Sequence, residues 1–206
     1  TLNHTRFQDM AEAPDGDRDR PAALAFNGDV YRGLDARTLT AEQLDWAQSR
    51  LNILSGLYGV LRPLDLIQPH RMEMGTRLKT RRGASLYDFW GDRVTAELNR
   101  RLKDAGSDVV INLASHEYAR VVRPKALRAT LITPIFKERM EDGSERIISF
   151  YAKWARGAMV RWAIEKKVER AEDLQHFNTG DYQIQPDASS DGTLVFCRPK
   201  PPLATR

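Results

Sequence analysis

Residues 111–118, INLASHEY, bring Asn112, Ser115, His116 and Glu117 to the end of an apolar run. At the carboxyl end of a strand in an open α/β sheet such groups face a ligand crevice, and a following helix N-terminus offers free N–H groups to an anion. The same residues also suit a plain role, with Ser115 as a helix cap and Glu117 as a first-turn acid favoured by the helix dipole. Adjacency alone makes no catalytic pair, because consecutive helix residues point about 100° apart. A second set lies in SFYAKWARGAMVRW, residues 149–162. Lys153 and Arg156 are one turn apart and can converge on one anionic group. Gly157-Ala158 marks either close packing or the close approach of a ligand. Trp154 and Trp162 fit a core better than a base-stacking platform.

The third set is LNILSGLYGVLRP, residues 51–63, in which Gly56 and Gly59 sit inside an apolar stretch that ends in Arg62-Pro63. Two readings stay open. The stretch is a tight turn between packed elements, or it is a cradle whose backbone N–H groups at Ser55, Gly56, Leu57, Tyr58 and Gly59 hold phosphate. Helix-hairpin-helix elements hold duplex DNA in the second way, without reading bases.

Composition narrows the classes. The chain has 206 residues, 41% of them hydrophobic, enough for a substantial core. No apolar run is long enough to span a bilayer, and no charged-then-apolar leader opens the chain. The single cysteine, Cys197, forms no internal disulfide, and the four histidines at 4, 70, 116 and 176 are too scattered for a zinc pattern. The expectation is a cytoplasmic protein with no metal, no cofactor and no membrane partner. Thirty-two Lys and Arg against 28 Asp and Glu give a net charge of +4 and a pI near 9.3. The positive charge is clustered: Arg77, Lys79, Arg81 and Arg82 in RLKTRR, Arg100, Arg101 and Lys103 in RRLK, and Lys153, Arg156, Arg161, Lys166 and Lys167 along 151–167. Clusters of this kind are either solvated faces or footprints of a polyanion.

Elements must position these groups. Residues 1–20 read as a frayed, polar lead-in and 199–206 as a disordered tail. PAALAF reads as a buried strand and GDVYRGL as a turn. Thr40 and Gln43 form a capping box for a helix over 41–50. Pro63 and Pro69 forbid a long helix after the glycine hairpin and leave short turns and a strand ending at Gly75. Ser85 and Asp88 cap one long helix over 86–104, closed by Gly106. DVVINLA reads as a central strand, and SHEYARVV as a short helix capped by Ser115. ATLITPIFKER and SERIISFY flank the Asp142-Gly143 turn of a hairpin. A basic helix over 152–167 and a short helix near EDLQHF follow. YQIQPD and TLVFCR then form a second hairpin across SSDG. The fold class is α/β of the mixed α+β kind, a single domain with one mixed sheet and flanking helices.

GDVYRGL, LNILSGLYGVLRPLDLIQPHRMEMGTRL, LYDFWGD, VVINLASHEY, IISFYAKWARGAMVRW and FNTGDYQ, in this order, resemble the bacterial YaaA family of peroxide stress response proteins over residues 21–198. The resemblance implies an α/β fold around a basic cleft, with a helix-hairpin-helix-like element and a duplex DNA partner. It also implies a role in limiting free iron and oxidative damage under hydrogen peroxide. Carried to this chain, it puts Ser55, Gly56, Leu57, Tyr58, Gly59 and Arg62 on a DNA-binding surface and Lys153 and Arg156 in the cleft. Family members open with a strand and a Ser-Pro-Ala-Lys-Thr-Leu segment, so the chain is expected to lack an N-terminal strand and helix. The alternative is an enzyme acting on a nucleotide or other small anionic ligand through Asn112, Ser115, Glu117 and Lys153. No recognisable nucleophile-base pair supports it.

Overall fold

A computed structural model describes residues 2–10, 18–190 and 192–201. The chain forms two compact, interleaved units: Thr1–Asn27, Ala36–Asp108 and Ala114–Ala129 in the first, and Gly28–Asp35, Val109–Leu113 and Thr130–Arg206 in the second.

The second unit carries the main sheet. Its strands run in the order Val109–Ile111, Thr130–Arg139, Thr193–Pro199, Gln183–Ile184, and Glu145–Arg146 pairs beside Thr130–Arg139. The first two pairings are parallel and the others antiparallel. Val109–Ile111 is therefore an end strand of this order and not a central one, since β-branched residues favour a strand but do not fix its rank in a sheet. Along Thr130–Arg139 burial alternates, with Pro134, Phe136 and Glu138 facing inward, as the two-residue period of a strand requires. Phe136 gathers Phe177, Tyr182 and Phe196 within ring-centroid distances of 5.9, 5.2 and 5.5 Å. Both expected hairpins are present, although the second strand of the Asp142-Gly143 hairpin is only two residues long. In the other hairpin Asp191 lies outside the described residues.

The basic helix runs over Ser149–Lys166, three residues longer at its start than its sequence pattern indicates. It packs on a helix, Asp29–Leu34, where GDVYRGL reads as a turn. Tertiary contact explains the difference. A methyl group on Gly157 would fall 1.8 Å from the Val30 carbonyl oxygen, and one on Gly33 would fall 2.1 Å from that of Trp154. The two glycines let the helix backbones touch, so Gly157 serves packing and not ligand approach. Arg161 adds bonds to the carbonyls of Leu34 and Asp35, at 3.3 and 3.0 Å.

The first unit is built from short pieces. Arg20–Pro21 pairs with Leu66–Ile67, and Ala22–Ala25 is helical where PAALAF reads as a strand. Alanine and leucine are strong helix formers with no β-branch to favour extension. The Ala41–Arg50 helix has its reciprocal Thr40–Gln43 capping box. Ser85 and Asp88 form a second box, but the expected helix over 86–104 is two, Leu86–Trp90 and Arg93–Ala105. Gly91, at φ 51°, ends the first. Gly106 ends the second in the left-handed conformation, as expected. Met74, Leu86, Val94, Leu98 and Val121 form one core cluster of this unit. Leu2–Gln8 is helical. The remainder of the polar lead-in at 11–17 and the end of the tail at 202–206 lie outside the described residues.

Candidate nucleic-acid interface

Residues 53–61 form a β-hairpin, Ile53–Ser55 paired with Gly59–Leu61, and irregular chain follows instead of a second helix. The helix-hairpin-helix-like expectation is corrected here. Alternating burial on both strands holds the segment extended, and Pro63 stops helix formation beyond it.

The hairpin tip is clasped from inside. Ser55 is buried, and its Oγ accepts the Tyr58 N–H at 3.2 Å. Gly56 lies under the backbone of Met72 and Glu73, and its carbonyl accepts Trp90 Nε1–H at 2.9 Å. Gly59, at φ 78°, leaves no room for a side chain against the Trp90 ring. Leu57 is half-buried. Tyr58 accepts the Gln68 N–H on its hydroxyl at 3.2 Å and meets His70 edge-on. The Arg62 N–H donates to Asp65 Oδ2 at 2.7 Å. These contacts use both glycines for packing.

The INLASHEY side chains are engaged as well. Asn112 belongs to the second unit, where its N–H donates to Ile132 at 2.7 Å and its Nδ2 to Thr133 Oγ1 at 3.4 Å. Ser115 and Glu117 belong to the first unit. Ser115 caps His116–Ala119 by accepting the Tyr118 N–H. Glu117 Oε1 accepts the Gly75 N–H at 2.7 Å, and the Glu117 carbonyl accepts the Tyr87 hydroxyl at 2.8 Å. This Glu117 lock joins residues far apart in the chain, so no local pattern announces it. Sequence reasoning also missed a buried trio in the second unit. Glu138 and Arg198 are register partners on adjacent strands. Glu138 is fully buried and accepts the Tyr182 hydroxyl. Arg198 holds Glu138 at 3.5 Å, lies 4.4 Å over the Tyr182 ring, and donates to Gly180 at 3.0 Å. The buried charges face each other, although Arg198 Nε makes no hydrogen bond, and Glu138 Oε2 also accepts the Ile148 N–H at 3.3 Å.

The basic clusters separate by what neutralises them. Arg100 pairs with Glu97 and Asp104, both at 2.6 Å. Arg101 meets Glu97 at 2.7 Å and Asn52 Oδ1 at 2.7 Å. Hydrogen bonds and charge from these arginines, Arg100 first, hold the Glu97 carboxyl down at about 2. Arg161 pairs with Glu165 at 2.7 Å. The loop after Gly75 differs. Arg77, Lys79, Arg81 and Arg82 are all exposed, and among the described residues none of their side chains pairs with a carboxylate. In the second unit Lys153 is exposed and Arg156 half-buried. Burial pulls the Arg156 guanidinium below its ordinary range. No helix among the described residues is long and apolar enough to cross a membrane.

Comparison with known proteins places the chain. It is 52% identical over 198 residues to a UPF0246 protein of Ruegeria pomeroyi, which spans 96% of this chain and 77% of that one. It is 53% identical over 207 residues to one from Maricaulis maris, spanning 98% and 76%. A relative from Laribacter hongkongensis is 53% identical over 197 residues, spanning 96% and 76%. The family model described as peroxide stress protein YaaA matches residues 1–188. With that match over most of its length, the chain belongs to the YaaA family of peroxide stress proteins.

Proposed function

We propose that this protein binds duplex DNA largely without sequence preference, and that this binding helps limit iron-dependent oxidative damage in the cytoplasm under peroxide stress. The observation that carries the reading is the loop holding Arg77, Lys79, Arg81 and Arg82, exposed cations left without a carboxylate among the described residues. A fold gains nothing from like charges side by side, whereas a phosphate backbone neutralises them and releases counterions. Lys153 and Arg156 offer two further cations in the second unit, and Arg62 another in the first. Ser55, Gly56, Leu57, Tyr58 and Gly59 contribute by holding the first unit's framework. The family's peroxide stress role supports the link to oxidative damage.

An enzyme built on Asn112, Ser115, Glu117 and Lys153 is less favoured, because the first three side chains already serve strand, cap and loop. The test is fluorescence anisotropy of a labelled duplex over a salt series, with Arg77→Gln/Lys79→Gln/Arg81→Gln beside the unaltered chain. Each lost phosphate contact should flatten the plot of log affinity against log salt by about 0.9. Equal slopes in the two proteins would sink the reading.

A further inference from the structure

A cleft of about 320 Å³ opens in the first unit where the Leu86–Trp90 and Arg93–Ala105 helices meet, lined by Arg82, Phe89, Trp90, Arg93 and the acids Asp88 and Asp92. Its volume falls at the lower end of the range for small-ligand sites. Phe89 and Trp90 stand nearly perpendicular, 84° apart with centroids at 5.1 Å. The Arg93 guanidinium sits in their corner, 4.6 Å from the Phe89 ring and 5.1 Å from Trp90. Arg82 lies over the same Phe89 ring at 5.6 Å.

The charges at this cleft are uneven. Asp92 is taken by Arg123 at 2.6 Å. Asp88 Oδ2 receives the N–H groups of Ala84 and Ser85 and the Ser85 hydroxyl, which keep it an ionised carboxylate turned to the start of its own helix. Arg93 donates to the Phe89 and Trp90 carbonyls, which caps a helix end but neutralises no charge. Among the described residues, Arg82 and Arg93 thus stand together with no carboxylate bonded to either. Burial and then the charge of Arg82 lower the Arg93 guanidinium, so the two repel. Capping would need Arg93 alone. A second guanidinium on the same ring is accounted for by a ligand that carries negative charge.

We infer that this cleft binds a phosphomonoester, its dianionic phosphate held between Arg82 and Arg93. Two guanidinium groups match a doubly charged monoester better than the single charge of an internal phosphodiester. The phosphate comes either from a strand terminus, which deepens the DNA-binding reading, or from a free mononucleotide, which does not depend on it.

Isothermal titration of the full chain with adenosine 5′-monophosphate, adenosine and inorganic phosphate tests the site. Arg82→Ala is the variant, because Arg82 is exposed and its guanidinium lies over the Phe89 ring. The monophosphate should bind, adenosine should not, inorganic phosphate should compete, and Arg82→Ala should weaken binding about tenfold. A duplex with 5′-phosphate ends against the same duplex with 5′-hydroxyl ends identifies the source. Tighter binding of the phosphorylated duplex that disappears in Arg82→Ala assigns the site to strand termini. Mononucleotide binding with no difference between the duplexes assigns it to free nucleotide. If the monophosphate and the phosphorylated duplex bind no better than their phosphate-free counterparts, or if Arg82→Ala binds like the unaltered chain, the inference is overturned. Salt-dependent duplex binding through Arg77, Lys79 and Arg81 would survive that result. Nucleotide binding without any duplex binding would sink the DNA reading alone.

Discussion

Residues 97–104 of the Arg93–Ala105 helix and the loop over 77–82 are both rich in arginine and use it oppositely. On the helix, Glu97 and Asp104 stand three or four residues from Arg100 and Arg101, and every one of these charges is spent on a neighbour. On the loop, four cations occur with no acid among them. The difference teaches that basic composition has little meaning until its counter-charges are located. Paired arginines hold a fold together, and unpaired ones have a field left to act at a distance.

The largest effect that would break this contrast is on DNA affinity. Arg77→Gln/Lys79→Gln/Arg81→Gln should bind duplex DNA about 100-fold more weakly near physiological salt, with its urea midpoint unchanged. A shifted midpoint would mean that the loop cations serve the fold after all. Next in size is Arg101→Ala, expected to cost about 1.5–3 kcal/mol in urea unfolding through its bonds to Glu97 and Asn52, while duplex affinity changes less than about threefold. A large loss of affinity would place Arg101 on the other side of the comparison.

A smaller effect sharpens the same point through pH. The Glu97 carboxyl falls from 4.5 to about 2 in the folded chain. A depressed carboxyl stabilises the fold above its unfolded value, and that contribution drains away as pH falls from about 4.5 toward 2. The stability gap between the unaltered chain and Arg100→Ala should therefore close across that window in acid unfolding curves. A gap that persists below it would show that Arg100 acts by packing. The smallest effect belongs to Cys197. Burial first, and then Glu145, raise its thiol, which keeps it protonated and unreactive. Dilute peroxide should give no sulfenic acid on the folded chain by mass spectrometry. Rapid oxidation would make Cys197 a direct sensor, a role its surroundings oppose.

Much of the local structure was legible because its causes are local. Thr40 with Gln43 and Ser85 with Asp88 announce two helix starts, and Gly106 announces an end. The i,i+3 and i,i+4 spacing of Glu97, Arg100, Arg101 and Asp104 was also open to inspection, although counting basic residues alone hides it. What could not be read depends on partners distant in the chain. Gly33 reads as a turn residue until Gly157 is placed against it. Gly56 and Gly59 suit a phosphate cradle until Trp90 and the 72–73 backbone close over them. Glu117 resembles a catalytic acid until Gly75 supplies the N–H it accepts. The candidate site was thus legible in its charges and not in its geometry, because a side chain's availability is set by the contacts it already makes.

The glycine seam between Asp29–Leu34 and Ser149–Lys166 has a consequence for how the protein is made. Synthesis begins at the amino end, so the first of these helices leaves the ribosome long before the second exists. A helix of six residues has little stability alone. Its native form must wait for Gly157, and until then Val30 and Leu34 have no surface to cover them. A helix made much later is therefore what completes the Asp29–Leu34 segment, and a nascent chain that stalls before the long helix carries apolar side chains that chaperones can hold.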